Sequence, residues 1–362
     1  MFWKMEKYGH ENDLNCINAY LLSFFAFAAG TASMEFDRGE WMDFAGPDGK
    51  WLYTLYKKDT VNGTAMRQSI RDLFALSQGE RSKVYEAIAH DMKFADNRTV
   101  PFEFYSIEPH LDKSQSKLIK HFYLYFYEVV LCSTQFRLSG LSGKKFDRKE
   151  FVRQYFDKGN PKLKRFCPVC LQPVTDAGRE NDVEHYFGKA FVPCLALHSY
   201  NLYFVCKACN QEYKKGKNAL KGGADIRRIF LPYIDTLKEK TKLEFYHQEK
   251  EDGVRICPAD AAEPYISEKI EAFDYLFELE ERWSGMLETY YHSLRTGYEA
   301  AHIDTFADLK GMMQTDLVRA KARGNDNPQQ YLETKYQEWI SEKQLKAFYS
   351  ELKQRGRKAE IL

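Results

Sequence analysis

The stretch that decides the fold is DVEHYFGKAFVPCLALHSYNLYFVCKACNQEYKKGK, from Asp182 to Lys217. The segments at 182–185 and 201–205 are short and are separated by a long loop, and we predict that they form a pair of strands. The residues from Cys206 onward predict a helix. We therefore expect a small strand–strand–helix unit near the middle of the chain.

Four cysteines frame this unit in two Cys-x-x-Cys pairs: Cys167, Cys170, Cys206 and Cys209. Two such pairs are the usual ligand set of a structural zinc. The 35 residues between Cys170 and Cys206 fit a Zn²⁺ that clamps the base of an inserted hairpin. Such a unit buries little apolar surface, so metal binding would supply the missing folding free energy. The alternative is four ordinary buried thiols.

Composition indicates a folded protein with a substantial core. The content of 44% hydrophobic and 15% aromatic residues indicates a folded protein, and the length of 362 residues predicts two or three domains. Charge is balanced overall, with 53 basic and 52 acidic residues, but residues 151–230 contain 14 Lys and Arg against 7 Asp and Glu. That local net charge of +7 fits a polyanionic partner such as nucleic acid, and it also fits a solvated charged surface.

Cysteine usage and hydropathy bear on the compartment. The remaining cysteines are scattered singly, which favours buried free thiols over a disulfide framework and predicts a cytoplasmic protein. The apolar run at 19–34 is short for a membrane span and is not preceded by a basic flank. We expect it to form a buried or partner-facing helix, with no membrane association.

The regions on either side of the central unit are predicted to be helical, so the fold class is α+β, mostly α-helical. Residues 117–138 predict a buried helix, residues 265–294 a long one, and residues 51–56 a short strand. The expected domains are an N-terminal helical region, a central zinc module and a C-terminal helical region, at 1–158, 159–230 and 231–362.

The residues inside the cysteine frame suit phosphodiester hydrolysis, which needs a base for water and a cation for the phosphate. His185 has the intrinsic pKa of such a base. Asn201, at the start of the second strand, is placed to orient the imidazole. Glu184 and Asn210 provide the hard oxygen ligands that Mg²⁺ prefers.

Several basic residues in the same stretch are candidates for contact with phosphate. Asn210, Lys214 and Lys217 are spaced i, i+4 and i+7, so a helix would carry them on one face with both ammonium groups directed at phosphate. Lys189, four residues after His185, is a third candidate for the nucleic-acid backbone. His198 is open between a phosphate contact and packing within the loop.

These motifs, in this order, resemble the HNH (ββα-metal) endonuclease family in its four-cysteine zinc variant. In that family an acidic residue and His end the first strand, Asn-Leu opens the second, and Cys-x-x-Cys-Asn or Cys-x-x-Cys-His begins the helix. The resemblance covers roughly 165–220. Many members have Asp at the position of Glu184 and His at that of Asn210.

The resemblance implies a fold with a central ββα-metal zinc module and metal-dependent hydrolysis of DNA. It implies that His185 is the general base, Asn201 the central Asn, and Glu184 with Asn210 the ligands of Mg²⁺ or Mn²⁺. Asp182 matches an acidic position of the family whose role is open.

The helical flanks suggest a nuclease that docks onto another protein. This layout resembles the nuclease subunits of antiphage systems such as Septu and related retrons, in which an ATPase partner controls cutting. The competing hypothesis is a zinc-stapled module that binds nucleic acid or protein without cutting. A third is a regulatory subunit that carries a vestigial nuclease.

Overall fold

The computed structural model describes residues 5–7, 11–50, 52, 66–131, 148–158, 165–175, 181–220, 225–248, 251–301, 303–324 and 328–359. This part of the chain is mostly helical with two small antiparallel sheets, as the predicted α+β class requires. Its buried apolar residues form a single cluster that runs from Met5 to Leu352. The domain limits at 158 and 230 stay predictions.

The N-terminal region is a set of packed helices. They are α1 (Glu11–Gly30), α2 (Arg38–Ala45), α3 (Met66–Ala75), α4 (Gln78–Asp91), α5 (Lys113–Tyr125) and α6 (Arg148–Lys158). The apolar run at 19–34, predicted as a buried or partner-facing helix, lies in α1 as far as Gly30, and Leu21, Phe24 and Phe25 are buried there. Within the described residues, no helix has the length and apolar character needed to cross a membrane.

Helix α5 continues without interruption into a π-helical turn, Phe126–Val130. The helix predicted at 117–138 is therefore present through Val130, with a turn at Leu131, and most of its apolar side chains are buried. The remainder of that range, and the short strand predicted at 51–56 apart from Leu52, lie outside the described residues.

The central unit contains the two strands predicted from the sequence. Strand β1 (Asn181–His185) pairs antiparallel with β2 (Leu202–Cys206), and His185 lies opposite Leu202. A 3₁₀ turn, Pro193–Leu197, forms part of the loop between them. The segment after β2 is a π-helix, Ala208–Lys214, which ends where Lys215 takes a positive φ of 41°.

The region after 230 corrects two expectations. It is not wholly helical, because β3 (Thr241–Gln248) and β4 (Glu251–Pro258) form an antiparallel hairpin after the short helix α7 (Leu237–Lys240). The long helix predicted at 265–294 is two helices, α8 (Ile266–Phe277) and α9 (Leu279–Ala300). They are separated at Glu278, whose φ of 51° is left-handed and ends the α-helical path.

Three further helical segments complete the C-terminal region. They are α10 (Phe306–Gly324), α11 (Pro328–Trp339) and α12 (Leu345–Ala359), with a π-helical turn at Ile340–Gln344 between the last two. Pro328 occupies the first position of α11, where its missing N–H is not needed. Helix α9 packs against both β4 and α12.

Candidate metal centre and adjoining polar site

The two Cys-x-x-Cys pairs converge on one point. Cys167 and Cys170 lie in a tight turn, closed by a hydrogen bond from the Leu171 N–H to the Cys167 carbonyl (3.0 Å). Cys206 ends β2, and Cys209 lies in the first turn of the π-helix. All four side chains are buried, and their sulfur atoms lie within 4.8 Å of one another. We call these four residues the cysteine cluster.

The spacing of the sulfurs fits a tetrahedral cation. Cys167 and Cys209 are 3.9 Å apart at Sγ, and Cys170 and Cys206 are 3.8 Å apart. Zinc–sulfur bonds of about 2.3 Å in a tetrahedron place neighbouring sulfurs about 3.8 Å apart. A disulfide needs about 2.05 Å. The cluster is therefore compatible with a structural zinc.

Backbone groups and burial act on the same thiols. The N–H groups of Cys206 and Cys209 point at the sulfurs of Cys167 and Cys206, each at 3.5 Å. Burial raises the pKa of Cys167 and Cys209, whereas hydrogen bonds from the other three cysteines lower that of Cys170. Metal binding at such a site displaces thiol protons, so affinity depends on pH.

Strand β1 alternates between two environments. Asn181, Val183 and His185 are buried, whereas Asp182 and Glu184 are partly exposed. Successive side chains of a strand point to opposite faces. The structure therefore places the two carboxylates on one face of β1 and the imidazole on the other, although the sequence puts Glu184 and His185 side by side.

The carboxylate face of β1 meets the π-helix. Asn210 donates from Nδ2 to Asp182 Oδ2 (3.1 Å), and Gln211 donates from Nε2 to the same oxygen (2.8 Å). Lys214 Nζ contacts Glu184 Oε1 at 2.8 Å. We call Asp182, Glu184, Asn210 and Lys214 the acid–amide cluster. The predicted pair of metal ligands is thus brought to one place, but Asn210 bonds to Asp182, and Lys214 pairs with Glu184.

His185 is enclosed. Only 3% of it is exposed, and its Nε2 lies 2.9 Å from the carbonyl oxygen of Ala196. The ring of Tyr127, from the π-helical turn after α5, packs edge-on against the imidazole at 4.6 Å between centroids. The carbonyl contact requires a hydrogen on Nε2, and the neutral tautomer then carries its lone pair on Nδ1.

Asn201 acts on the loop rather than on the imidazole, which corrects the predicted direct orienting contact. Its Oδ1 accepts from the Phe187 N–H (2.7 Å), and its Nδ2 donates to the carbonyls of Phe187 (3.1 Å) and Leu195 (2.9 Å). Leu195 precedes Ala196, whose carbonyl contacts His185. The fully buried amide therefore fixes His185 indirectly, through the backbone of the β1–β2 loop.

The three lysines predicted to contact phosphate each have an internal partner in this structure. Lys189 pairs with Glu128 (3.1 Å), and Lys217 pairs with Glu278 (2.6 Å). The Lys214 side chain is only 1% exposed. Lys217 also lies beyond the end of the π-helix, so the predicted common face with Asn210 and Lys214 does not extend to it.

His198 packs in the loop, which decides between its two alternatives for this structure. Its Nε2 lies 3.2 Å from the carbonyl oxygen of Met92, and its ring packs against Phe94 at 4.8 Å between centroids. Burial lowers its pKa to about 4. The imidazole is therefore neutral at physiological pH and is not a phosphate cation.

Sequence reasoning did not single out two kinds of residue near the site. Lys207 and Lys215 are exposed at the two ends of the π-helical segment. In a stretch with several lysines, the sequence alone does not tell these exposed side chains from the buried Lys214. Arg282 and Trp283 come from α9 and touch the cysteine cluster. No local motif signals a contact between residues so far apart in sequence.

Comparison of the chain with protein-family models, with curated proteins and with solved structures finds no match in any of the three.

Proposed function

We propose that this protein is a metal-dependent DNA endonuclease of the HNH type, with a structural zinc in the cysteine cluster. The observation that carries the proposal is the acid–amide cluster, where two carboxylates of β1 meet an amide of the following helix. His185 ends the same strand, with its side chain on the opposite face. Carboxylate and amide oxygens are suitable ligands for Mg²⁺ or Mn²⁺.

The resemblance implies a role for each of these residues, and their contacts bear on how each would act. His185, with its hydrogen on Nε2 held toward the Ala196 carbonyl, accepts the proton of the attacking water at Nδ1. Asn201 keeps the loop that supplies this carbonyl in place. Glu184 and Asn210 would hold the divalent cation in exchange for their present contacts with Lys214 and Asp182, and the cation would supply charge stabilisation of the phosphate and of the departing oxygen.

The substrate backbone meets a basic surface in this proposal. Lys207 and Lys215 are exposed on the helical segment that carries Asn210 and Lys214, and their ammonium groups would attract phosphates. Lys189 and Lys217 join them by exchanging their present carboxylate partners for phosphate. Such contacts carry affinity without base specificity.

The test is plasmid cleavage in Mg²⁺ or Mn²⁺ and then in EDTA, by the wild type, His185→Ala and His110→Ala. We expect His185→Ala to reduce the cleavage rate by about 10²- to 10⁴-fold, which is the usual contribution of a general base. His110 is a matched control because its side chain is 37% exposed and contacts Glu103, away from the cluster. Equal cleavage by wild type and His185→Ala would exclude this histidine as the base.

Control by an ATPase subunit in antiphage defence is part of the proposal. The same assay is therefore run on protein expressed alone and together with the products of neighbouring genes. Cleavage only by the co-expressed preparation supports a partner-controlled nuclease. Equal cleavage by both preparations contradicts that control.

A second candidate function is a zinc-stapled module that binds nucleic acid or protein without cutting. This candidate is favoured because the polar residues of the site already have partners within the protein. Lys214 neutralises Glu184, and the ring of Tyr127 covers His185. Such a module needs zinc alone. Retained zinc and DNA binding, with no cleavage in any metal or preparation, would select it.

A further inference from the structure

Helix α9 of the C-terminal region contributes a cation to the cysteine cluster. Arg282 donates from Nη1 to Cys209 Sγ at 3.2 Å and to the carbonyl oxygen of Phe277 at 3.1 Å. Its guanidinium carbon lies 4.0 Å from the centre of the Tyr213 ring. The guanidinium is thus fixed on three sides by a sulfur, a carbonyl and an aromatic face.

The next residue of α9 makes a second, independent contact with the same centre. Trp283 is fully buried, and its Nε1 donates to the carbonyl oxygen of Cys170 at 3.0 Å. Cys170 and Cys209 belong to different Cys-x-x-Cys pairs. Helix α9 therefore touches both halves of the cluster, although it lies more than seventy residues later in the chain.

Charge explains why a guanidinium suits this position. A zinc ion with four thiolates carries a net charge of −2, and burying that charge is costly unless hydrogen bonds or counter-charges compensate it. Arginine stays protonated at every relevant pH, is weakly hydrated, and stacks on aromatic rings while donating to an anion. Arg282 places its charge beside Cys209 Sγ, donates a hydrogen bond to that sulfur and stacks on Tyr213.

We propose that Arg282 is an outer-sphere positioning residue of the zinc centre, so that retention of the metal depends on the docking of α9 against the central unit. The C-terminal region is then part of the metal site rather than a separate attachment. This inference depends on zinc binding to the cysteine cluster and does not depend on DNA cleavage.

The experiment measures the rate of zinc release to a chromogenic chelator from the full-length, zinc-loaded protein. Arg282→Met removes the charge and keeps an unbranched stem, and we expect it to release zinc about 10- to 100-fold faster, the usual effect of losing an outer-shell partner. Arg295→Met is the matched control. Arg295 lies on the same helix, stacks on Tyr291 at 5.9 Å and pairs with Glu299, away from the cluster.

A second variant keeps the test decisive if Arg282→Met does not fold. Arg282→Lys keeps the charge, but a single ammonium cannot donate to the sulfur and the carbonyl while stacking on Tyr213, so we expect an intermediate release rate. Release at the wild-type rate by every folded Arg282 variant overturns the proposal.

The urea midpoint separates a metal-positioning role from a purely structural one. With excess zinc present, we expect Arg282→Met to unfold close to the wild-type midpoint, and to fall below it only when the chelator is added. An equal loss of stability with and without zinc would mean that Arg282 only packs α9, and would also overturn the proposal.

Discussion

The cysteine cluster and the acid–amide cluster lie in the same small unit and differ in where their compensating positive charge comes from. In the first, the buried sulfurs of one Cys-x-x-Cys pair lie 3.8 to 3.9 Å from those of the other, and backbone N–H groups and Arg282 offset their charge when ionised. In the second, Lys214 supplies a cation from the chain itself. The cysteine cluster is therefore compatible with an external metal, whereas a metal at the acid–amide cluster would have to compete with a lysine.

The largest effect should come from breaking the cysteine cluster. Cys209→Ser replaces a soft thiolate ligand by a hydroxyl that binds zinc poorly, and we expect loss of bound zinc and of about 5 kcal/mol or more of unfolding free energy. Elemental analysis of the purified protein should show one zinc per wild-type chain and less in the variant. Thermal unfolding followed by circular dichroism reports the stability.

Cys257→Ser is the control for this substitution. Cys257 is partly buried in β4 and lies outside the cluster, so its replacement should leave zinc content unchanged and stability within about 1 kcal/mol. If Cys209→Ser retained its zinc and its stability, the four sulfurs would be ordinary buried thiols, and the contrast between the two clusters would disappear.

Local spacing was enough to predict the cysteine cluster but not the pairing within the acid–amide cluster. The Cys-x-x-Cys pairs and the strands β1 and β2 follow from residues close in sequence. The partners of Glu184 and Asp182 depend on how the π-helix packs on β1, which an α-helical spacing does not describe. Lys214, which the sequence predicts to point at phosphate, is instead buried and is the counter-ion of Glu184.

The same limit explains the errors beyond residue 230. The β3–β4 hairpin carries a period-two pattern in which Val254 and Ile256 are buried, and that alternation could have been recognised. The break between α8 and α9 could not have been recognised, because no glycine or proline marks it in the sequence. Glu278 itself adopts the left-handed conformation. Tertiary packing overrides a continuous helical pattern there.

The second largest effect should come from removing the internal cation. Lys214→Met leaves Glu184, whose side chain is only 19% exposed, without its partner. We expect a loss of about 3 to 5 kcal/mol of unfolding free energy, the usual cost of breaking a buried ion pair on one side. Removing the competing ammonium should also tighten Mn²⁺ binding at this site, which titration calorimetry on the zinc-loaded protein can measure.

Two further variants sharpen this prediction. Adding Glu184→Gln to Lys214→Met removes the unpaired charge, and should restore much of the lost stability while abolishing the gain in Mn²⁺ binding. Lys189→Met breaks the half-exposed pair with Glu128 and should cost only about 0 to 1 kcal/mol. Similar costs for the Lys189 and Lys214 variants would show that burial does not distinguish the two pairs.

A smaller effect, confined to acidic pH, should come from the loop that links the two strands. Burial is the main cause that lowers the pKa of His198 to about 4, and nearby Lys7 lowers it further, while the Met92 carbonyl, Asp96 and Glu11 act in the opposite direction. In the unfolded chain the same group titrates near 6.5, that is, at about the ordinary histidine value.

The sign of the pH dependence follows from these two values. Above about pH 6.5 the imidazole is neutral in both states, and its contribution to stability is complete. As the pH falls toward 4, the unfolded chain binds a proton that the folded protein excludes, so stability decreases by about 1.4 kcal/mol per pH unit and by roughly 3 kcal/mol in total. Urea midpoints at pH 7, 5.5 and 4.5 measure this slope.

His198→Asn isolates the contribution of this one group. The Asn oxygen can replace Nδ1 as the acceptor for the Tyr200 N–H, which lies 3.3 Å from that nitrogen, but it does not titrate. The variant should therefore lose some stability at pH 7 and show a flatter decline toward pH 4.5 than the wild type. An unchanged slope would assign the acid sensitivity to the cysteine cluster, where protons compete with zinc for the sulfurs. Repeating the titration with Cys209→Ser distinguishes the two sources, because that variant retains His198 and loses the metal.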